Sequence, residues 1–239
     1  MSGLYHYLPF ILLLTVIVIA SIVTRKLTIW GALTGAAIAI LIFFGSGYTG
    51  IIMLATFFIL GTVATMWGKK EKSFIKIQQD QSTKRNAGQV LANGGVASLT
   101  CILIYLFPEK AGLFKLMMAG SLASAMADTL SSELGMIYGR RFYNILTFKS
   151  DQKGLDGVVS MEGTLIGILG SVFIAIIYAI GFGWDNDFVI IIVAGTIGNM
   201  ADSILGALWE RKHYLTNDAV NFLNTLIAAM VAGLIWLLC

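Results

Sequence analysis

"MADTLSSELG" (126–135) and "MADSILGALWE" (200–210) share a Met-Ala-Asp-hydroxyl-aliphatic pattern, and each lies inside a long apolar segment. The surrounding chain spends few charges. Of its 239 residues, 57% are hydrophobic and 12% charged, with a mean hydropathy of +0.84; a soluble domain carries about 25% charged residues. Apolar runs of about 20 residues recur from end to end, the length a bilayer-spanning helix requires. The fold expected is an all-α integral membrane protein, a polytopic bundle of about eight transmembrane helices. Strands are not expected, because the runs are continuous rather than alternating. The first apolar run has no basic segment before it and reads as a retained helix. Cys101 and Cys239 form no disulfide framework or metal spacing. The net charge of +3 is modest and gives no footprint for nucleic acid.

Eight spans fit, at about 7–24, 27–45, 50–67, 86–107, 112–137, 158–183, 187–208 and 217–238. They make one transmembrane domain over 1–239, with three scaffold helices in 1–68 and motif-bearing helices in 84–225. The first, third, fifth and seventh loops hold 14 of the 16 basic residues, from Arg25, Lys26 and Lys76 to Arg211 and Lys212. Lys110 and Lys115 fall on the other side. By the positive-inside rule those loops are cytoplasmic and both termini face outward. The two Met-Ala-Asp helices then run parallel. Each aspartate lies about 23 Å into its span, near the cytoplasmic end. An intramembrane carboxylate costs about 2.5 kcal/mol or more, so two at one level imply a shared partner. A loop Lys or Arg is one candidate. A divalent cation is the stronger one, since Mg²⁺ takes carboxylate oxygens and leaves positions open for phosphates. Asp128 and Asp202 are therefore candidate metal ligands, with Glu133 or Asp218 as an additional one.

Other polar residues fall at the same level. Asn86, Gln89 and Asn93 share one face of the fourth span, with Lys84 and Arg85 at its mouth. Asn217, Asn221 and Asn224, spaced i, i+4, i+7, share one face of the eighth span, beside Asp218, and Asn199 precedes the second Met-Ala-Asp. A helix–helix hydrogen-bond seam would look similar. "KGLDGVVSMEGT" (153–164) feeds a flexible loop into a helix, placing Lys153, Gly154, Asp156, Gly157, Ser160, Glu162 and Thr164 where a helix N-terminus suits phosphate. No Walker-type loop occurs.

At "RNAGQVLANGG", "ADTLSSELG", "GLDGVVSMEGTLIGILGS", "GNMADSILGA" and "NDAVNFLNT" the sequence resembles the family called domain of unknown function 92, which includes plant phytyl-phosphate kinase and animal transmembrane protein 19. The resemblance implies a membrane kinase that converts an isoprenoid monophosphate to the diphosphate, with CTP or another nucleoside triphosphate as donor. The chemistry of the matching positions assigns catalysis to Asp128, Asp202, Lys153 and Asn93. The remaining basic and amide residues would bind phosphates and orient the nucleotide or acceptor. No general base is needed, because the acceptor phosphate is already an anion. A cytidylyltransferase that leaves CMP on the lipid is a close variant. A transporter or channel would also use intramembrane carboxylates, but the parallel repeat, the off-centre depth and the plain outer halves argue against it. A non-enzymatic scaffold leaves the aspartates without a purpose. The site is expected to face the cytoplasm, in the cytoplasmic membrane if the host is bacterial, with membrane lipids around it.

Overall fold

A computed structural model describes residues 2–73 and 84–239. Lys76, counted among the basic residues above, lies outside them. The helices are α1 (Ser2–Val23), α2 (Ile29–Met66), α3 (Lys69–Ser73), α4 (Ala87–Leu106), α5 (Ala111–Tyr138), α6 (Met161–Phe182), α7 (Asp187–Leu205) and α8 (Asn217–Leu238). A 3₁₀ turn (Pro108–Lys110) leads into α5, and a π turn (Gly206–Glu210) extends α7. Contrary to the expectation of no strands, β1 (Tyr143–Asn144) and β2 (Val158–Val159) pair antiparallel in the connection between α5 and α6. Two residues per strand suffice to close that loop into a hairpin.

Continuous apolar sequence makes the helices; side-chain caps start half of them. Thr28, Asn86, Ser160 and Thr216 each accept a backbone N–H in the first turn of α2, α4, α6 and α8. Such caps satisfy donors that the helix itself leaves open. Neither α5 nor α7 has one at its start. The capped starts gather at the end of the bundle that carries Lys26, Arg85 and Arg211, called here the basic end.

A straight helix of 38 residues would run about 57 Å, nearly twice the hydrocarbon thickness of a bilayer. The α2 segment does not run straight. Gly47 breaks it at φ +65°, ψ −153°, a left-handed φ open to glycine at no steric cost. The two arms then fold back together: Lys26 Nζ touches Met66 Sδ, and Arg85 lies against both Gly31 and Gly61.

The centre of the bundle is α5, which packs on α2, α4, α6, α7 and α8. Leu116, Met118, Ala119, Leu122, Ala123, Ala125, Met126 and Ala127 are fully buried. Small residues set the spacing: Gly195 packs on Ala123, and Gly198 on Ser124 and Ala228, as in helix contacts within membranes. Large apolar side chains such as Trp30, Phe44, Tyr105, Ile180 and Trp184 point outward instead. Among the described residues five helical segments are long and apolar enough to cross a bilayer: Ile29–Met66, Ala87–Leu106, Met161–Phe182, Asp187–Glu210 and Asn217–Leu238. The count established on these criteria is thus five, rather than the eight read from the sequence. The difference arises because Ile29–Met66 enters as one segment despite its break, α1 offers only the shorter Tyr7–Val23, and α5 is the small, polar helix at the centre.

Candidate functional site

The contact of α5 with α7 brings the two Met-Ala-Asp motifs together. The carboxylates of Asp128 and Asp202 lie within hydrogen-bonding contact of each other. A chain of side-chain bonds holds them. Ser124 Oγ donates to Asn224 Oδ1 at 3.0 Å, which turns the amide so that Asn224 Nδ2 donates to Asp202 Oδ1 at 2.6 Å. Asn224 is fully buried. On the other side Ser131 Oγ meets both the Asp128 carbonyl and Asn199 Oδ1 at 3.0 Å.

Three more acids surround the pair. Glu210 and Glu133 act electrostatically on Asp128, and Asp156 acts on Asp202 and Glu210. Glu210 hydrogen-bonds Asn217, whose Oδ1 also accepts from Asn221 Nδ2 at 3.1 Å. Asp218 abuts Gly88 at the start of α4. Asp156 arrives on the hairpin. Its neighbour Gly157 has φ +74° and lies so close to the π turn that a Cβ there would sit 2.6 Å from Ala207 Cα. Only glycine meets both demands.

Two cations enter this region. The Arg85 guanidinium lies 5.7 Å from the Phe57 ring centroid and beside Gly61. Burial lowers its pKa, while Glu133 and Asp128 oppose that shift. Lys72 is 4% exposed and donates to Glu133 at 2.6 Å and to the carbonyls of Ala64 and Thr65 at 2.8 and 3.1 Å. It thereby closes the C-terminal end of α2 as well as pairing an acid. A second ion pair lies at the rim, where Arg211 Nη1 meets Asp151 Oδ2 at 2.7 Å. Hydrogen bonding from Arg211, then from the Gln152 N–H, holds the Asp151 carboxyl down to about 2. Asp151 in turn raises the Arg211 pKa.

The expected site residues divide on this geometry. Asp128, Asp202, Asp156, Asn199, Asn217 and Asn221 converge, with Arg85 and Glu133 beside them. Glu133, read as a metal ligand, is paired with Lys72 instead of standing open. Asn86 and Gln89 bond each other's backbone in a capping box, and Asn93 Nδ2 returns to the Gln89 carbonyl at 2.9 Å. Ser160 caps α6, Thr164 Oγ1 donates back to its carbonyl, and Glu162 accepts from the Arg140 N–H. Gly154 (φ +86°) turns the hairpin, and Lys153 Nζ lies 5.5 Å from the Phe142 ring centroid. Lys84 lines an apolar hollow of about 580 Å³ with Ile22, Leu27, Thr28, Ile29 and Trp30; no aspartate borders it. Glu210, Lys72 and Ser124 belong to the region but were not marked by the sequence. Glu210 closes the second quoted motif, a signal that was available; Lys72 sits in a run of like residues that hides it.

Among the described residues no three acidic, histidine or cysteine side chains are arranged as a ready metal cage. The Asp128–Asp202 pair nonetheless offers hard oxygen donors, and Mg²⁺ in phosphate-transfer sites takes only one or two protein carboxylates, filling the rest with water and substrate. The donor set fits such an ion.

Comparison with known proteins agrees with this architecture. An uncharacterised membrane protein of Methanocaldococcus jannaschii is 34% identical over 95% of this chain and 94% of its own length. An uncharacterised membrane protein of Synechocystis is 30% identical over 90% and 84%. The protein VTE6, chloroplastic, of Arabidopsis thaliana is 31% identical over 78% of this chain and 58% of its own. No solved structure matches. The family model described as integral membrane protein DUF92 matches residues 12–229. The chain, a multi-pass membrane protein with its paired aspartates within that match, belongs to the DUF92 family of integral membrane proteins.

Proposed function

We propose that the protein is a membrane-embedded phosphotransferase that moves the terminal phosphoryl group of a nucleoside triphosphate, CTP by the family resemblance, to an isoprenoid monophosphate of the phytyl type. The observation that carries this reading is the contact between Asp128 and Asp202 at the basic end, with three further acids and Arg85 around it. Two carboxylates in contact stay ionised together only beside a counter-charge, and a magnesium ion carried by the nucleotide would supply one.

Asp128 and Asp202 would hold that ion, which on binding neutralises phosphate charge. An oxygen of the acceptor phosphate attacks the γ-phosphorus, the bond from that phosphorus to the β,γ-bridging oxygen breaks, and the nucleoside diphosphate leaves. Such a transfer needs positioning and charge neutralisation more than acid–base help. Arg85 contributes a fixed positive charge beside Asp128. The Ser124–Asn224 chain sets the direction of Asp202. Asn217 and Asn221, next to Glu210, offer amide contacts to the nucleotide. The apolar hollow at Lys84 and a second one at Trp209, Tyr214, Leu215 and Leu223 are lined by residues next in sequence to Arg85 and Glu210 and suit an apolar chain.

The orientation proposed places the basic end in the cytoplasm, with eight crossings once α1, the two arms of α2 and α5 are each counted. Cysteines introduced at Gln152 and His213 should then react only from the cytoplasmic side, and one at Asp185 only from outside. The deciding experiment incubates purified protein with Mg²⁺, a panel of nucleoside triphosphates and prenyl monophosphates, and reads products by mass. A prenyl diphosphate supports the kinase. A CMP-linked lipid makes it a cytidylyltransferase, and no transfer to any lipid acceptor refutes the reading.

A further inference from the structure

The hairpin and the π turn meet at three points. Gly157 packs its backbone on Ala207, and its N–H lies against Gly206. The Ile145 N–H donates to the Gly157 carbonyl at 3.0 Å, tying the far strand to the same residue. Arg211, directly after the π turn, grips Asp151 through both guanidinium nitrogens, at 2.7 and 3.4 Å. Between these contacts the chain presents Asp156 from one side and Glu210 from the other, and each acts on the other and on Asp202. A π turn widens a helix by one residue. Here the extra residue brings the Ala207 backbone out to Gly157 and leaves Glu210 on the aspartate side.

These acids repel one another, whereas Arg211 attracts Asp156 as well as bonding Asp151. The apolar contact is small, since it joins a glycine to an alanine. We infer that Asp151 and Arg211 are positioning residues. Their ion pair latches the hairpin to the end of α7 and so keeps Asp156 beside Glu210 and Asp202. For what the site does, this rests on the kinase reading; for what the pair holds, it does not.

The test uses the full chain in detergent, with Asp151→Asn, Arg211→Gln and the exchange Asp151→Arg with Arg211→Asp. Two readouts need no turnover. One is the rate of cleavage at Lys149 and Lys153, in the hairpin, by a protease that cuts after lysine but not arginine. The other is Mn²⁺ affinity, followed by electron paramagnetic resonance. Each single variant should be cleaved about fivefold faster, the range expected for one partly exposed ion pair, and should bind Mn²⁺ more weakly. The exchange should return both toward wild type. High salt should speed cleavage of wild type and add little in the variants. With substrate, the variants should raise KM for the magnesium nucleotide more than they lower kcat.

Single variants cleaved like wild type, or an exchange that restores nothing, would overturn the latch. Faster cleavage with unchanged Mn²⁺ affinity would overturn the positioning role, leaving a loop clamp only. If wild type neither binds Mn²⁺ nor transfers phosphate, the kinase reading fails and the cleavage series alone decides the latch.

Discussion

The two halves of α5 use the same helix for different ends. From Leu113 to Ala123 it is a spacer: Leu116, Met118, Ala119 and Leu122 are buried against apolar neighbours. From Ser124 onward polar side chains bond to other elements: Ser124 to α8, Ser131 to α7, Glu133 to α3. The first half holds helices at a fixed distance by shape. The second holds particular atoms in particular places by hydrogen bonds, which are directional and costly to leave unmade when buried. A change in the first half should therefore move stability, and one in the second should move function.

The sharpest attempt to break that contrast is Asp128→Asn or Asp202→Asn. Each keeps the shape and removes a charge from the proposed metal pair. Turnover should fall by about 10²-fold or more, the scale seen when one group stabilising developing charge is lost. Thermal unfolding in detergent should change little. Near-normal rates at saturating Mg²⁺ would make the carboxylates structural and erase the distinction between the halves.

Lys72→Met comes next. It takes the Lys72 charge away from the buried Glu133, and breaking one side of a buried pair costs about 3 kcal/mol or more. The loss should appear in the unfolding midpoint in detergent. It should also weaken turnover, because it shifts the charge balance among Glu133, Arg85 and Asp128. A variant as stable as wild type would show that neither the ion pair nor the two carbonyl bonds of Lys72 seats α3.

At the opposite end, Tyr178 donates to Asp187 at 2.9 Å. Tyr178→Phe should cost about 1 kcal/mol, a typical net hydrogen bond, with kcat and KM unchanged. An altered KM for either substrate would mean that the two ends communicate.

The bundle and the pairing of its two central carboxylates were legible because both follow from local pattern. Apolar run length marks helices, and matched depth in parallel helices brings Asp128 to Asp202. What the pattern could not give was the use of each polar side chain. Asn86 and Gln89 share a face, but the chain starts a helix there, and its open N–H groups claim both side chains first. Lys153 sits in a plausible phosphate loop, yet the hairpin turns it onto Phe142. Glu210 falls just past the seventh span as read from the sequence, and the π turn returns it to the site. Lys72 and Arg85 find Glu133 across gaps of 61 and 48 residues, and no periodicity encodes contacts of that range.

The smallest effect concerns acid. The Asp151 carboxyl is lowered to about 2 by Arg211 and the Gln152 N–H, from about 3.9 in an unfolded chain. A depressed carboxyl stabilises the closed hairpin fully above the unfolded value and loses that contribution as pH falls through the folded one. The latch should therefore hold from neutral pH to about 4 and open between about 4 and 2. Pepsin works in that window, and the hairpin offers it Phe142, Leu146, Phe148 and Leu155. Cleavage of wild type relative to Asp151→Asn should rise toward unity as pH falls, because the variant has no charge to lose and serves as the reference for the protease itself. A ratio that stays constant from pH 4 to pH 2 would mean that the Gly157–Ala207 contact, rather than the ion pair, keeps the hairpin closed.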